Sequence, residues 1–168
     1  GTADRVKLAF VGVEADGADE GRIVVRGAEI VEVSGNNLDY KYGDTDSLGL
    51  PLPLGPDTDP FTRIGLDLEN ATTVYVSGET GWDFTQPGTH IAHVTMIDAS
   101  AVSAPGRLSG VTAKAQTSDS VTFIGGAGDD VIEGGEGSDV LAGGGGNDVY
   151  VLNSGSEDDT INEEEGGG

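Results

Sequence analysis

Three aspartates recur at nine-residue intervals near the C-terminal end of the chain: Asp130, Asp139 and Asp148. An aspartate carboxylate is a charged, hard oxygen ligand, and the surrounding glycines leave backbone carbonyls uncovered. Calcium takes about six to eight such oxygens and tolerates irregular geometry, whereas magnesium needs stricter octahedral order and zinc prefers nitrogen or sulfur. The aspartates and their neighbouring carbonyls therefore predict calcium binding.

Each aspartate belongs to a nonapeptide of the form Gly-Gly-x-Gly-x-Asp-x-U-x, where U is a large apolar residue. Three copies follow one another without a break, at 125–133, 134–142 and 143–151. Glycine reaches positive φ at little cost, so we expect the turn glycines to direct carbonyls at the cation. These metal-site glycines are Gly125, Gly126, Gly128, Gly134, Gly135, Gly137, Gly143, Gly144 and Gly146. A flexible linker would have no reason to keep the aspartates and the apolar residues in phase.

Two nonapeptides should complete one turn of a coil, because one strand runs out and the next returns. Turns two repeats apart then stack, which predicts Asp130 against Asp148 with one ion between them. Residues 154–162 form a degenerate fourth copy after a two-residue insertion, and Asp159 would be the partner of Asp139. One apolar residue per strand is expected to point inward: Phe123, Ile132, Leu141 and Tyr150.

The upstream part of the chain contains strand-like segments at 5–11, 22–25, 29–33, 72–76, 91–97 and 111–115. Segment 28–35 aligns with 71–78, and 93–100 is a looser third copy. We predict an irregular parallel β-helix over 1–120, in line with the calcium coil over 121–163. A loop excursion is expected at about 37–62. It carries Asp-x-Asp pairs at 44–46 and 57–59, which leave a further calcium site open.

The nonapeptides resemble those of the RTX (repeats-in-toxin) proteins, which Gram-negative bacteria export by type I secretion. The resemblance implies a β-roll in which Asp130, Asp139, Asp148 and Asp159 bind calcium between successive coils, outside the cell. Residues 96–126 further resemble the repeat regions of RTX-type surface-layer proteins and large adhesins. The expected fold is all-β: a right-handed parallel β-helix, or solenoid, ending in an RTX calcium β-roll.

The composition limits the classes of partner that the chain can bind. The 168 residues carry 30 acidic and 8 basic side chains, a net charge of −22. Such a surface repels nucleic acid and anionic membranes. Because there is no cysteine, disulfides and thiolate metal sites are excluded. No apolar run approaches the roughly 18 residues that span a bilayer. We therefore expect calcium ions as partners, with self-association or other domains of the same chain, and neither nucleic acid nor membrane insertion.

The remaining motifs do not favour catalysis. His90 and His93 are spaced so that they would point to opposite faces of a strand, which suits a shared metal badly. Trp82 is interpreted as a packing residue. No Gly-x-Ser-x-Gly is present, and no lysine follows the glycine-rich run as a phosphate loop would require. The chain is not expected to be an enzyme.

The main functional hypothesis is a calcium-dependent extracellular structural module of a surface-layer or similar protein. Two alternatives stay open: the C-terminal tail of a secreted metalloprotease or lipase, and an adhesin segment that binds glycans or a partner. The chain starts at Gly1 and shows no signal peptide, so we expect a piece of a larger protein, with 164–168 as the tail of a truncated or continuing chain.

Overall fold

A computed structural model describes residues 2–11, 22–36, 65–78, 81–85, 88–103, 111–153 and 158–163. This part of the chain contains strands and turns without helices. The strands are β1 (Arg5–Val11), β2 (Arg22–Val25), β3 (Ile30–Asn36), β4 (Gly65–Leu68), β5 (Thr73–Gly78), β6 (Met96–Val102), β7 (Thr112–Lys114), β8 (Thr122–Ile124), β9 (Val131–Glu133), β10 (Val140–Ala142), β11 (Val149–Val151) and β12 (Thr160–Asn162).

The strands form a parallel solenoid. One sheet of seven strands has the order β1-β3-β5-β6-β8-β10-β12, and sheets of three (β11-β9-β7) and two (β2-β4) strands accompany it. Strand pairing is parallel throughout the described sheets. From β7 onward, consecutive strands alternate between the seven-stranded and the three-stranded sheet. The structure thus confirms the predicted all-β parallel coil, and the long sheet runs without interruption from the irregular part into the calcium repeats.

A row of apolar side chains along the seven-stranded sheet forms the centre of the core. The register pairs Val31 with Val74, Val74 with Ile97, Ile97 with Phe123 and Phe123 with Leu141. Each of these side chains is at most 1% exposed. Since alternate residues of a strand face opposite sides, one inward residue in every coil is enough to build this continuous row.

The upstream strands match the sequence prediction unevenly. Strands β1 and β2 have the predicted bounds, and the alignment of 28–35 with 71–78 is the observed register. The predicted strand at 91–97 is wrong, because the strand begins at Met96. Ile97 rather than Val94 pairs with Val74. Val94 is also buried, but its N–H donates to the carbonyl of Ile91 (3.0 Å) in a turn. Strand β4, which opens on a glycine, was not predicted.

The strands of the repeats are three residues long. In β8, β9 and β10 only the middle side chain is buried, which confirms the inward prediction for Phe123, Ile132 and Leu141. Tyr150 is half-buried against the core. The flanking valines face outward and are exposed. Trp82 is buried beside Phe84, with ring centroids 6.5 Å apart, as expected for a packing residue.

Three predictions fall beyond the described residues: the excursion at 37–62, its Asp-x-Asp pairs, and the tail at 164–168. Within the described part, no helix is long and apolar enough to cross a bilayer.

Candidate metal centre

The turns of the first and third nonapeptides stack on each other. Gly145 N–H donates to Gly126 O at 2.8 Å, and Asp130 N–H donates to Asp148 Oδ1 at 2.8 Å. Asp130 and Asp148 are 18 residues apart, the predicted two-repeat offset. The structure therefore brings these two aspartates to facing positions of neighbouring turns.

The second column of turns repeats this contact on the other side of the coil. Asp139 N–H donates to Asp159 Oδ1 at 3.0 Å, over a separation of 20 residues. The separation is two residues longer because Leu152 and Asn153 are inserted between the third and fourth copies. Asp159 is thus the facing partner of Asp139, although its own copy of the repeat is degenerate.

Both columns begin on a valine from the upstream coil. Asp139 Oδ1 accepts the N–H of Val121 at 2.9 Å, and Asp130 Oδ1 accepts the N–H of Val111. The other Asp130 oxygen accepts Gly126 N–H at 2.8 Å. Val111 and Val121 thus stand where the next turn of each column has an aspartate. In the described part of the chain, Asp130 and Asp139 are therefore the first residues of their columns that face another aspartate.

Burial makes these carboxylates unfavourable as free anions. Asp130 is 0% exposed, and desolvation raises its pKa to about 7 against the lowering effect of its bonds to Val111 and Gly126. The charges of Asp148 and Asp129 raise it further. Burial also raises the pKa of Asp148, as do the nearby Glu163 and Asp129 charges. A bound cation would offset both the desolvation and the repulsion.

An unused oxygen marks the place for such a cation. Asp148 Oδ2 is shielded from solvent and has no hydrogen-bond partner among the described residues. Buried polar atoms in native proteins normally have a partner, so an orphan carboxylate oxygen between stacked turns fits an oxygen-seeking ion as its partner. This observation supports the calcium prediction independently of the repeat pattern.

The first glycine of each nonapeptide lies directly against its aspartate. A Cβ at Gly125, Gly134 or Gly143 would overlap Oδ2 of Asp130, Asp139 or Asp148 respectively. The φ of these glycines is not positive, so glycine is required at these positions because a Cβ would not fit beside the carboxylate. Positive φ occurs instead at Gly135, Gly137, Gly144 and Gly146. The expectation that turn glycines supply positive φ thus holds for four glycines of the second and third copies.

Backbone carbonyls would have to complete the ligand set. In the described part of the chain no three acidic or histidine side chains converge on one point. The carbonyls of Gly126, Gly128 and Gly143 instead lie between the first and third turns, each close to a glycine of the facing turn. Two carboxylates with several carbonyls form an all-oxygen set, which suits calcium. The assignment of the aspartates and turn glycines as ligands stays a prediction.

Comparison with known families supports the same ion. Residues 122–150 match the family model of the RTX calcium-binding nonapeptide repeat (4 copies). This segment of the chain consists of RTX calcium-binding repeats. The match ends before the degenerate copy at 154–162, and no curated protein and no solved structure matches the chain.

The hydrogen bonds of Tyr150 were not predicted from the sequence, which assigned it only an inward apolar role and did not single out Glu163. Tyr150 Oη accepts Gly143 N–H at 2.6 Å and donates to the carboxylate of Glu163, which follows β12. Burial and Glu163 raise the pKa of Tyr150. Glu163 therefore lies close to the third turn and to Asp148. The available signal was a tyrosine at a position that isoleucine and leucine occupy in the preceding RTX copies.

The histidines lie away from the RTX turns. His90 Nδ1 is 3.5 Å from Asp67 Oδ2, and Arg22 contacts the same carboxylate oxygen at 3.3 Å. Both His90 and His93 are exposed. Asp67 and His90 form a parallel bridge, which extends the two-stranded sheet by one residue.

In calcium-free protein, acidification from about pH 8 to about pH 5 is expected to shift the folding equilibrium of the RTX coil towards the folded state. The pKa of Asp130 is raised from 3.8 to about 7, so the folded state retains a proton that the unfolded state releases. This contribution is complete below pH 3.8 and is lost as the pH rises through about 7. The β-signal in circular dichroism across this pH range measures the folded fraction.

Asp130→Asn is the control for this pH dependence, because it keeps an oxygen acceptor but cannot titrate. Its folded fraction should change less between the two pH values than that of the natural chain. General relief of the −22 net charge would act on both proteins alike. Equal shifts in the two proteins would contradict the assignment to Asp130.

Proposed function

We propose that the chain is a calcium-dependent structural module of a bacterial surface protein exported by type I secretion. RTX repeats occur in secreted bacterial proteins, and this chain carries them at 122–150. In this proposal calcium binds between stacked turns and drives folding and assembly outside the cell. The observation that carries it is the facing pair Asp130 and Asp148, in which one buried oxygen of Asp148 has no partner in the described structure.

Calcium supplies the free energy that the repeats lack. A cation bound only by the folded state contributes RT ln(1 + [Ca]/Kd), about 1.4 kcal/mol per site at a tenfold excess over Kd. The two facing pairs, Asp130 with Asp148 and Asp139 with Asp159, would together contribute about 3 kcal/mol under that condition. Such an amount is a large fraction of the stability of a typical domain. The module would therefore be ordered where calcium is abundant and disordered where it is scarce.

A surface depression on the upstream sheet is consistent with a non-catalytic, assembly-forming role. An open depression of about 420 Å³ is lined by Arg5, Glu32, Tyr75 and Ser77. Arg5 pairs with Glu32 and lies 5.9 Å from the centre of the Tyr75 ring, so its charge is already engaged. We propose that the partners are calcium ions, other domains of the same protein and further copies of it, rather than a substrate.

Calorimetric titration with calcium chloride tests the proposal. We expect the natural chain to bind calcium with a Kd of about 10⁻⁴ to 10⁻³ M, the range of extracellular modules. Asp148→Asn should weaken binding by about tenfold or more, because it removes a charged ligand from a buried pair. Asp119→Asn removes the same charge from an exposed side chain upstream and should change the affinity by less than about twofold.

Absence of binding heat for the natural chain at millimolar calcium would refute the proposed function. Equal weakening by Asp148→Asn and Asp119→Asn would show that calcium responds to the overall negative charge rather than to stacked turns. Magnesium chloride in a parallel titration provides the ion control, since its stricter octahedral geometry should give weaker binding.

A further inference from the structure

Residues at and before the aspartate position exchange hydrogen bonds between stacked turns. Asp130 N–H donates to Asp148 Oδ1 at 2.8 Å, and Asn147 N–H donates to Asp129 Oδ1 at 2.9 Å. The first bond has its side-chain acceptor in the later turn and the second has it in the earlier turn. The two turns are thus tied in both directions, an arrangement that we call the reciprocal clamp.

The same reciprocal clamp occurs one nonapeptide earlier, without facing carboxylates. Val121 N–H donates to Asp139 Oδ1 at 2.9 Å, and Ser138 N–H donates to Ser120 Oγ at 3.1 Å. Val121 stands where the next junction has Asp130, so only one carboxylate is available there. The clamp therefore persists where a two-carboxylate calcium site cannot form, and its geometry does not depend on the second aspartate.

We propose that Ser120 and Asp129 are positioning residues of the calcium coil: their side-chain oxygens hold the following turn in register for the cation. The inference rests on the proposed function. The position before the aspartate is unspecified in the repeat pattern, yet from residue 120 onward it carries a short side chain with an acceptor oxygen in each repeat: Ser120, Asp129, Ser138, Asn147 and Asp158. Two positions before these residues, the side chains have no common chemistry: Ser118, Ala127, Glu136, Gly145 and Ser156.

At Asp129 the hydrogen-bonding role of the side chain can be separated from the effect of its charge. Its carboxylate accepts the backbone N–H of Asn147. Its negative charge also raises the pKa values of Asp130 and Asp148. If it holds the turn through the hydrogen bond, an amide oxygen should serve as well as a carboxylate. If it acts as a negative charge that attracts calcium, an amide should not replace it.

The test compares three variants of the whole chain: Asp129→Asn, Asp129→Ala and Glu136→Ala. Each removes one negative charge, and Glu136 is an exposed side chain of a neighbouring turn. Calcium affinity is measured by calorimetry. We expect Asp129→Ala to weaken binding by about fivefold to tenfold, the effect of one lost hydrogen bond, and the other two variants to stay within about twofold.

Amide hydrogen exchange gives a readout at the donor itself. In calcium, the Asn147 amide should exchange about tenfold faster in Asp129→Ala than in the natural chain, and Asp129→Asn should restore its protection. Ser120→Ala should accelerate exchange at Ser138 in the same way, although it alters no carboxylate. Measured at saturating calcium, these exchange rates report the clamp separately from the affinity for the cation.

Two results would overturn the inference. In the first, Asp129→Asn weakens calcium binding as much as Asp129→Ala, which would assign Asp129 an electrostatic role. In the second, neither alanine variant changes the exchange of the amide that faces it. Failure of the natural chain to bind calcium is a separate result: it refutes the proposed function, while the exchange comparison still decides whether the clamp holds the turns.

Discussion

Removal of calcium is expected to unfold residues 122–163 and to leave the upstream coil folded. Each repeat strand buries a single large side chain, such as Ile132 or Leu141, which contributes roughly 1.5–3 kcal/mol. Against this stands the ordering of a nonapeptide that is one-third or more glycine, the residue that loses most conformational freedom on folding. The buried carboxylates Asp130 and Asp139 add desolvation that a bound cation would offset.

The described part of the upstream coil is not expected to depend on calcium in this way. Strand β5 buries Val74 and Val76, and strand β6 buries Ile97, Ala99 and Val102. Longer strands also give more ladder hydrogen bonds per coil. This part of the solenoid should therefore stay folded on apolar packing alone, as stacked repeats do when each interface is sufficient.

Peptide-resolved hydrogen exchange with and without chelator measures this difference directly. Peptides from β9 to β12 should lose nearly all protection in chelator, while peptides from β3, β5 and β6 should keep theirs. Restoring calcium should reverse the change, and the same concentration of magnesium should not. Unchanged protection of the repeats in chelator would show that the coil folds without the ion and would contradict calcium-coupled folding.

The repeat region was predictable because its period is fixed. Every nonapeptide places one aspartate and one apolar residue at the same offset, so stacking after 18 residues follows from counting. Upstream, the spacing between stacked residues varies, reaching 43 between Glu29 and Thr72. Register there depends on which of several apolar residues faces inward. The sequence therefore does not distinguish Val94 from Ile97, which is the residue that pairs with Val74.

The site was predictable for its carboxylates but not for its supporting bonds. A sequence shows that Asp130 and Asp148 recur in phase, yet the acceptor role of Asp129 depends on the direction of a backbone N–H in another turn. Glu163 approaches Tyr150 only because of the path that the chain takes after β12. The need for glycine at Gly143 was assigned to φ, whereas the coordinates show a lack of space.

Gly143→Ala is expected to destabilise the coil by about 1–3 kcal/mol and to weaken calcium binding by about tenfold or more. A Cβ at Gly143 would lie 2.6 Å from Asp148 Cβ and closer still to its carboxylate. Because the overlap reaches the base of the side chain, rotation of the Asp148 carboxylate cannot relieve it. The substitution must displace the aspartate or the turn, and either movement separates Asp148 from the facing Asp130.

Gly145→Ala is the matched control in the same nonapeptide. A Cβ there would meet only Ala127 Cα, at 3.7 Å, and Gly145 does not have positive φ. The added methyl group should leave calcium affinity unchanged and can stabilise the fold by about 0.4–1 kcal/mol through a less flexible unfolded chain. Thermal unfolding and calorimetry on both variants measure these differences. If the two glycines respond alike, general glycine content rather than contact with Asp148 determines the coil, and the proposed geometry of the calcium turn is wrong.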